Sequence, residues 1–441
     1  MNLLGRSWVV LVLWMTTLGL AVAIEPGTFG SGEVFFNLSY LFGGLFFVSL
    51  TWATLSLRGA RVTRRLGSNR SQVGRYVQEQ LTVENTGPLP KLWLEVRDHS
   101  ELPGHRASRV VSSLPAHQQR SWVVQTPCYR RGWYRLGPVT LYSGDPFGLF
   151  LLHRQLDLAA SIVIYPLAVD LPGFAPPAGQ LTGGDVLRRR THHVTTNVAG
   201  VREYVPGDSY NRIHWPSTAR TERLIVKEFE LDPASDVWLF LDMEEGAQAG
   251  VSRQIPLEAD LPPVLHVLRE NTHPVELEPN TEEYAVASAA SLARYFLERA
   301  WSLGLITYSR GRRRELAQPD RGTRQLDRLL SILAVTHAEG WVPLPQVLAA
   351  ETVQLGRNAT VIVITASTDE AWVATLRHLA RRGLRGMAVV IDPASFVPEV
   401  AGDGRARAIV ANLASGGVPA YLVRKGDRLE AALSATYTQA G

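Results

Sequence analysis

"VWLFLDMEEG", residues 237–246, reads as a single β-strand that ends on a carboxylate and opens into an acidic turn. Its unbroken apolar run leaves no polar face, the pattern of a strand covered on both sides. Four similar runs follow: "LGLITYS" (303–309), "TVIVIT" (360–365), "GMAVVID" (386–392) and "PAYLVRK" (419–425). Between them, "EEYAVASAASLARYFLERAWS", "TRQLDRLLSILAVTH", "DEAWVATLRHLARRG" and "RARAIVANLASGG" carry apolar residues three and four apart, as at Leu326, Leu329, Leu330 and Leu333. Strand and helix in alternation predict an α/β domain over 236–441, with a mostly parallel sheet and helices on both faces. Ligands collect at the carboxyl ends of such strands, so Asp242 is the first candidate for a site.

The amino terminus obeys a different rule. "SWVVLVLWMTTLGLAVAI" (7–24) and "VFFNLSYLFGGLFFVSLTWATLSL" (34–57) contain no charge. Each is near the roughly 20 residues that cross a hydrocarbon layer as a helix. The Pro/Gly turn between them carries only acidic charge, whereas Arg6 precedes the first run and Arg58, Arg61, Arg64, Arg65 and Arg70 follow the second. Arginine on the cytoplasmic side predicts a two-pass hairpin over 1–57 in the inner (cytoplasmic) membrane, with all that follows in the cytoplasm. The competing pattern, a cleaved signal peptide and one anchor, lacks a small-residue cleavage site and a mature soluble start. Gly43 and Gly44 suit close helix packing.

From residue 58 to 170 short alternating runs such as "YVQEQLTVEN", "LWLEVRD", "SWVVQTPC" and "SIVIYP", separated by turn residues, predict a β-sandwich. "LPGFAPPAG" (171–179) then begins a linker, so 171–235 is read as linker plus an unusual segment, "REYVPGDSYNRIHWPSTARTERLIVKEFE" (202–230). In it Pro206-Gly207-Asp208 is a turn tripeptide. Ile213 and Trp215 suit a core, and Arg202, Arg212 and Arg220 have Glu203, Asp208 and Glu222 as candidate partners. "LIVKEFE" alternates well enough to add an antiparallel edge strand to the α/β sheet.

Composition and missing motifs exclude much. The 441 residues hold 45 basic and 41 acidic side chains, a net +4 that is a weak argument for a nucleic-acid partner. Arg188, Arg189 and Arg190 fall in the linker, where a solvated run or a contact with acidic lipid is the expectation. One cysteine, Cys128, rules out an internal disulfide and a cysteine-rich metal site. No phosphate-cradling loop, dinucleotide fingerprint, GxSxG elbow or HExxH helix is present. His192 and His193 are adjacent and would face opposite sides of a strand, so they could not both grip one ion; with His214 they would form a metal site only through a special fold, and solvated or hydrogen-bonding histidines are the expectation. The segment after Asp242, residues 243–282, is long and acidic: a surface loop or a docking insertion.

An Asp closing the first strand of an alternating α/β pattern resembles a von Willebrand factor A domain. That resemblance implies a metal loop reading Asp-x-Ser-x-Ser, with a Thr and an Asp from later loops, oxygens suited to magnesium. Here Glu244 and Gly246 replace the serines and Ala366 stands in place of the second Asp. Glu244, Thr365 and Asp369 are the remaining oxygen donors, an incomplete set. The expectation is a metal-free domain, with magnesium at Asp242 the alternative.

The order of parts, with "RRGWYRLGPV" (130–139), "DPFGLF" (145–150), "REYVPGD", "IHWPSTAR" and "LIVKEFE", resembles the domain of unknown function 58 family through nearly the whole chain. Pro216 departs from it, standing where the family usually has lysine. The matching signature residues are Arg202, Tyr204, Pro206, Gly207, Asp208, His214, Trp215, Arg220 and Glu228. The resemblance implies a non-catalytic scaffold or adaptor that engages a MoxR-type AAA+ ATPase or another envelope protein. Its rival is divalent-metal-dependent ligand binding or hydrolysis at the degenerate site.

Overall fold

The computed structural model describes residues 7–23, 31–174, 198–205, 213–229, 236–250, 277–356, 359–397 and 404–434. They fall into two compact units that divide between Tyr165 and Pro166.

The first unit begins with helices α1 (Ser7–Ala23) and α2 (Ser31–Arg58). Residues Glu33–Arg58 of α2 are long and apolar enough to cross a membrane, while α1 is apolar but only 17 residues long, about 25 Å. Where two spanning helices were expected, one meets the length. The indole of Trp14 lies against Gly43, where an added Cβ would come within 2.7 Å of its nitrogen. Trp14 also meets the ring of Phe47 edge-on, at 5.5 Å between centroids. Gly43 thus serves helix packing as expected; Gly44 faces open space.

Ten strands follow: β1 (Ala60–Leu66), β2 (Arg70–Gln72), β3 (Tyr76–Asn85), β4 (Lys91–Asp98), β5 (Arg109–Leu114), β6 (Gln119–Pro127), β7 (Gly132–Leu136), β8 (Val139–Gly144), β9 (Leu151–Leu156) and β10 (Ala160–Tyr165). Sheets β1-β3-β6 and β5-β4-β8-β9 are antiparallel, and β2-β10-β7 forms a small third sheet. Alternate residues of the two larger sheets, Val62, Leu81, Val83 and Trp122 from one and Leu94, Val96, Val111 and Leu141 from the other, form one core.

Helix α2 is fastened to these strands. Phe46, Leu50, Ala53 and Leu57, spaced four, three and four residues apart, form an apolar stripe packed with Phe150 and Leu152. At the carboxyl end of the helix, the buried Lys91 ammonium donates to the carbonyl of Leu55 at 2.9 Å, meeting the negative pole of the helix dipole. Burial lowers the pKa of Lys91. The chain leaving the helix is held by Thr86 N–H on Gly59 O (2.8 Å) and by Arg154 Nη2 on Ala60 O (2.5 Å).

In the second unit, β11 (Val198–Glu203), α3 (Trp215–Thr221) and β12 (Ile225–Phe229) precede the α/β elements. These are β13 (Val237–Leu241), α4 (Thr281–Glu298), β14 (Leu303–Gly311), β15 (Arg313–Asp320), α5 (Thr323–Val335), β16 (Glu339–Gly340), α6 (Leu344–Glu351), β17 (Thr360–Thr365), α7 (Glu370–Arg381), β18 (Arg385–Ile391), α8 (Arg405–Ser415), β19 (Ala420–Val423) and α9 (Leu429–Ala432). The sheet order is β15-β14-β13-β17-β18-β19, parallel except for β15; β16 adds a short parallel pairing to β14. Trp238, Phe240, Val361, Val363, Ala388 and Val390 pack with α6, α7 and α8. The alternate residues face the other way, where α4 lies against β13, β14, β17 and β18.

Two expectations fail. β12 does not extend this sheet; it pairs antiparallel with β11 in a separate two-stranded sheet, and β15 fills the edge beside β14. Trp215 does not enter the core either: it begins α3 and is 64% exposed, whereas Ile213 is buried and bridges Val226.

Candidate functional site

In the α/β sheet the strand order reverses between β13 and β17, and at that point the carboxyl ends of two strands open a crevice. Asp242 follows β13 and Thr365 ends β17. Asp242 N–H donates to Ile364 O at 2.9 Å, which continues the parallel ladder and aims its side chain at its neighbour. Thr365 Oγ1 donates to Asp242 Oδ2 at 2.5 Å, and Glu244 N–H donates to Oδ1 at 3.1 Å. Ser367 N–H in turn donates to Thr365 Oγ1 at 2.8 Å. Burial pushes the Asp242 carboxyl up to about 6, against the opposing pull of the Thr365 and Glu244 hydrogen bonds.

Two further residues sew the turn down. Gln248 Nε2 donates to Asp242 O (3.1 Å), and its Oε1 accepts from Thr281 Oγ1 (2.7 Å) at the start of α4. Ala249 N–H donates back to Thr281 Oγ1 at 2.8 Å. Beneath, Gly340 N–H donates to Met243 O at 2.9 Å. The adjacent cavity, lined by Phe240, Asp242, Met243, Tyr308, Leu344 and Val347 among others, measures about 10 Å³, room for one water at most.

The oxygens around Asp242 are already engaged within the chain. Both Asp242 side-chain oxygens already accept hydrogen bonds, Ala366 offers no side-chain oxygen, and Asp369 Oδ1 caps α7 by accepting from Ala371 N–H at 2.9 Å. Among the described residues no three His, Cys, Asp or Glu side chains come together to hold a metal.

Part of the signature segment is described. Tyr204 N–H donates to Leu224 O (2.8 Å) and His214 N–H to Ile225 O (2.7 Å), tying α3 to the β11–β12 hairpin. The His214 ring shares a hydrogen bond of 2.7 Å with Ser217 Oγ. Trp215 and Arg220 project from α3 into solvent. Glu203 pairs with Arg223 at 2.7 Å, a partner the sequence did not nominate. Arg202 lies on β11 and Glu228 on β12, with side chains outside the described residues. Pro206, Gly207, Asp208, Arg212, the arginines at 188–190, His192, His193 and residues 251–276 of the acidic segment also lie outside them. Cys128 is buried, and burial pushes its thiol up to about 11, which makes it inert.

Another cluster has no counterpart in the sequence reading. Within the first unit Arg64, Glu79, Asp98 and His105 are all buried together. Arg64 Nε donates to Glu79 at 2.8 Å and its Nη2 to Asp98, while Nη1 donates to Leu158 O at 3.0 Å. His105 Nε2 lies 3.3 Å from both carboxylates, and its Nδ1 is 2.7 Å from Thr126 Oγ1. Burial alone would push Asp98 up, but His105, Ser100 and Arg64 outweigh it and hold the carboxyl down at about 2. Burial also opposes a charged His105, yet Asp98 and Glu79 raise its pKa. One signal was available: Glu79 occupies the inward parity of β3, in line with buried Val77, Leu81 and Val83.

Among solved structures, the chain is similar to a CARDB domain from Pyrococcus furiosus (14% identity, TM-score 0.18, covering 24% of this chain and 91% of that one). It is likewise similar to the C-terminal domain of Wzt (11% identity, TM-score 0.18, covering 24% and 73%). Scores this low carry no argument about fold or function. Over 395 residues, 87% of this chain and 88% of the relative, it is 21% identical to "Uncharacterized protein YeaD" of Bacillus subtilis. Residues 200–259, which hold most of β11, then α3, β12, β13 and the turn after Asp242, match the family described as "Protein of unknown function DUF58".

Proposed function

We propose that this chain is a membrane-anchored scaffold whose α/β unit is a von Willebrand factor A-like domain without a working metal site. Helices α1 and α2 form a two-pass hairpin, the rest faces the cytoplasm, and the protein engages a MoxR-type AAA+ ATPase rather than catalysing a reaction. Supporting the anchor are the large apolar side chains exposed on both helices, among them Trp8, Met15, Tyr40 and Leu41, which need a non-aqueous surrounding. Supporting the domain reading is the strand order: counted from β13 the sheet runs 3-2-1-4-5-6, with the third strand antiparallel. The observation that carries the non-catalytic reading is Asp242 itself, whose oxygens are spent on Thr365 and Glu244 N–H beside a cavity too small for a substrate.

The test is co-purification of the full chain from membranes with a MoxR-type ATPase, with and without nucleotide. Nucleotide-dependent retention that Trp215→Ala or Arg220→Ala weakens is the expected result. No retention in any nucleotide state overturns the scaffold role. The metal-dependent alternative has its own measurement: tight magnesium binding by calorimetry, abolished by Asp242→Ala, would replace a metal-free domain with a working site.

A further inference from the structure

The apolar stripe of α2 begins at Phe46, twelve residues before the helix ends at Arg58, or about 18 Å along its axis. The Phe46 ring meets Phe150 edge-on, with 5.3 Å between centroids. The loop between β8 and β9 therefore climbs beside the last three turns of α2. Above Phe46 only Ser31–Leu45 remains, about 22 Å of helix, whereas a hydrocarbon core is about 30 Å thick. A bilayer crossed by α2 must reach past Phe46 and down to the level of this loop.

The loop is built for that level. Phe147 is 60% exposed and Leu151 53%, both beside the buried Phe150. Its own carboxylate turns inward and satisfies two of its backbone donors: the buried Asp145 accepts from Phe147 N–H at 2.9 Å through Oδ2 and from Phe150 N–H at 2.6 Å through Oδ1. Gly148 N–H donates to Asp145 O at 3.3 Å, and Pro146 has no N–H to satisfy. Backbone that meets lipid must have its hydrogen bonds made internally, and apolar side chains at its tip gain by leaving water.

We infer that the Asp145–Leu151 loop is a membrane-inserted wedge, with Phe147 and Leu151 seated among the lipid acyl chains at the bilayer interface beside α2. This rests on the anchoring role proposed above for α2. Seating it gives the β8–β9 hairpin a second lipid contact and fixes the height of the strands against the bilayer.

The experiment uses the full chain in proteoliposomes of phosphatidylcholine and phosphatidylglycerol. An environment-sensitive fluorophore is attached to cysteine in Phe147→Cys, with Tyr40→Cys on α2 and Val123→Cys on β6 as references. The buried Cys128 does not compete for label. The expected result is that nitroxides near the lipid headgroup quench the Phe147 probe at least threefold more than the Val123 probe, while deep nitroxides quench the Tyr40 probe. If Tyr40 is quenched and Phe147 behaves like Val123, the wedge is overturned and the anchor stands. If Tyr40 is not quenched by any lipid nitroxide, the anchor fails and the wedge fails with it. Should cysteine at 147 disturb the loop, the same comparison at Leu151→Cys decides.

Discussion

Thr365 donates its hydroxyl to Asp242 across the switch point of the sheet, 2.5 Å from a carboxylate that burial has pushed up to about 6. A raised carboxyl pKa in the folded state means that the native chain holds a proton the unfolded chain releases. Stability from this group is full below about pH 4 and falls as pH rises to about 6, by up to about 3 kcal/mol. Asp242→Asn abolishes that slope. In urea titrations at pH 4.5, 6 and 7.5, its stability relative to the parent therefore moves in favour of the variant as pH rises; an unchanged difference across the three points contradicts the buried, proton-binding Asp242.

The Arg64–Glu79–Asp98–His105 cluster gives the strand-rich unit the opposite kind of pH profile. Asp98, held down at about 2, contributes stability above about pH 4 that is lost as pH falls through 2. His105, with its pKa raised, contributes fully below about 6.5 and loses that contribution as pH rises through its folded value. The stability maximum lies between the two. His105→Ala leaves two buried carboxylates with one cation, at a cost of about 3–5 kcal/mol, and removes the alkaline limb of the profile. Thermal melts from pH 3 to 9 check both.

Lys91 is positioned to hold the end of α2 rather than to meet a ligand. Lys91→Met keeps the apolar stem and deletes the hydrogen bond to Leu55 O, at a cost of about 1–3 kcal/mol. Trypsin then cuts after Arg58 about tenfold faster, since cleavage follows the population of the opened junction. Cleavage at the parental rate contradicts the cap.

Gly340 supports the Asp242 turn from below. A Cβ there would lie 2.1 Å from Tyr308 O and 2.7 Å from Met243 O. Both obstacles are backbone, so Gly340→Ala forces a shift and destabilises by about 1–3 kcal/mol. Hydrogen exchange at the Gly340 amide, bonded to Met243 O in the parent, reports the same loosening.

Within the signature segment, Ile213 is buried and Trp215 is exposed. Ile213→Ala costs about 2 kcal/mol or more, because Ile213 is buried against the hairpin. Trp215→Ala changes stability by no more than about 0.5 kcal/mol. A large melting loss in the tryptophan variant would mean that its ring packs rather than projects.

Strands β13, β14, β17, β18 and β19 were legible in the sequence because each is a nearly unbroken apolar run bounded by turns. β15 escaped notice because its "RRELAQPD" is an edge strand, open to water on one side and free to carry charge. The Asp242 site was found from its place after the first strand, but Gln248 and Thr281 come together only through the fold. Trp215 misled because an aromatic near an isoleucine reads as core; that Ile213 bridges Val226 while Trp215 opens α3 toward solvent is a three-dimensional fact. The Arg64 cluster draws one residue from each of four segments, and apart from Glu79 on its inward parity none looks unusual in its local run.

Lys91, Thr86 and Arg154 leave no swivel where α2 meets the strands. A domain on a flexible tether samples a hemisphere of orientations and loses memory of its anchor within a few residues. Here the end of α2 is bonded to the strands and its stripe is packed on Phe150 and Leu152, so a twist of the helix has a direct mechanical path into the β8–β9 hairpin. The junction transmits torque, and a partner that grips the strands grips the helix as well.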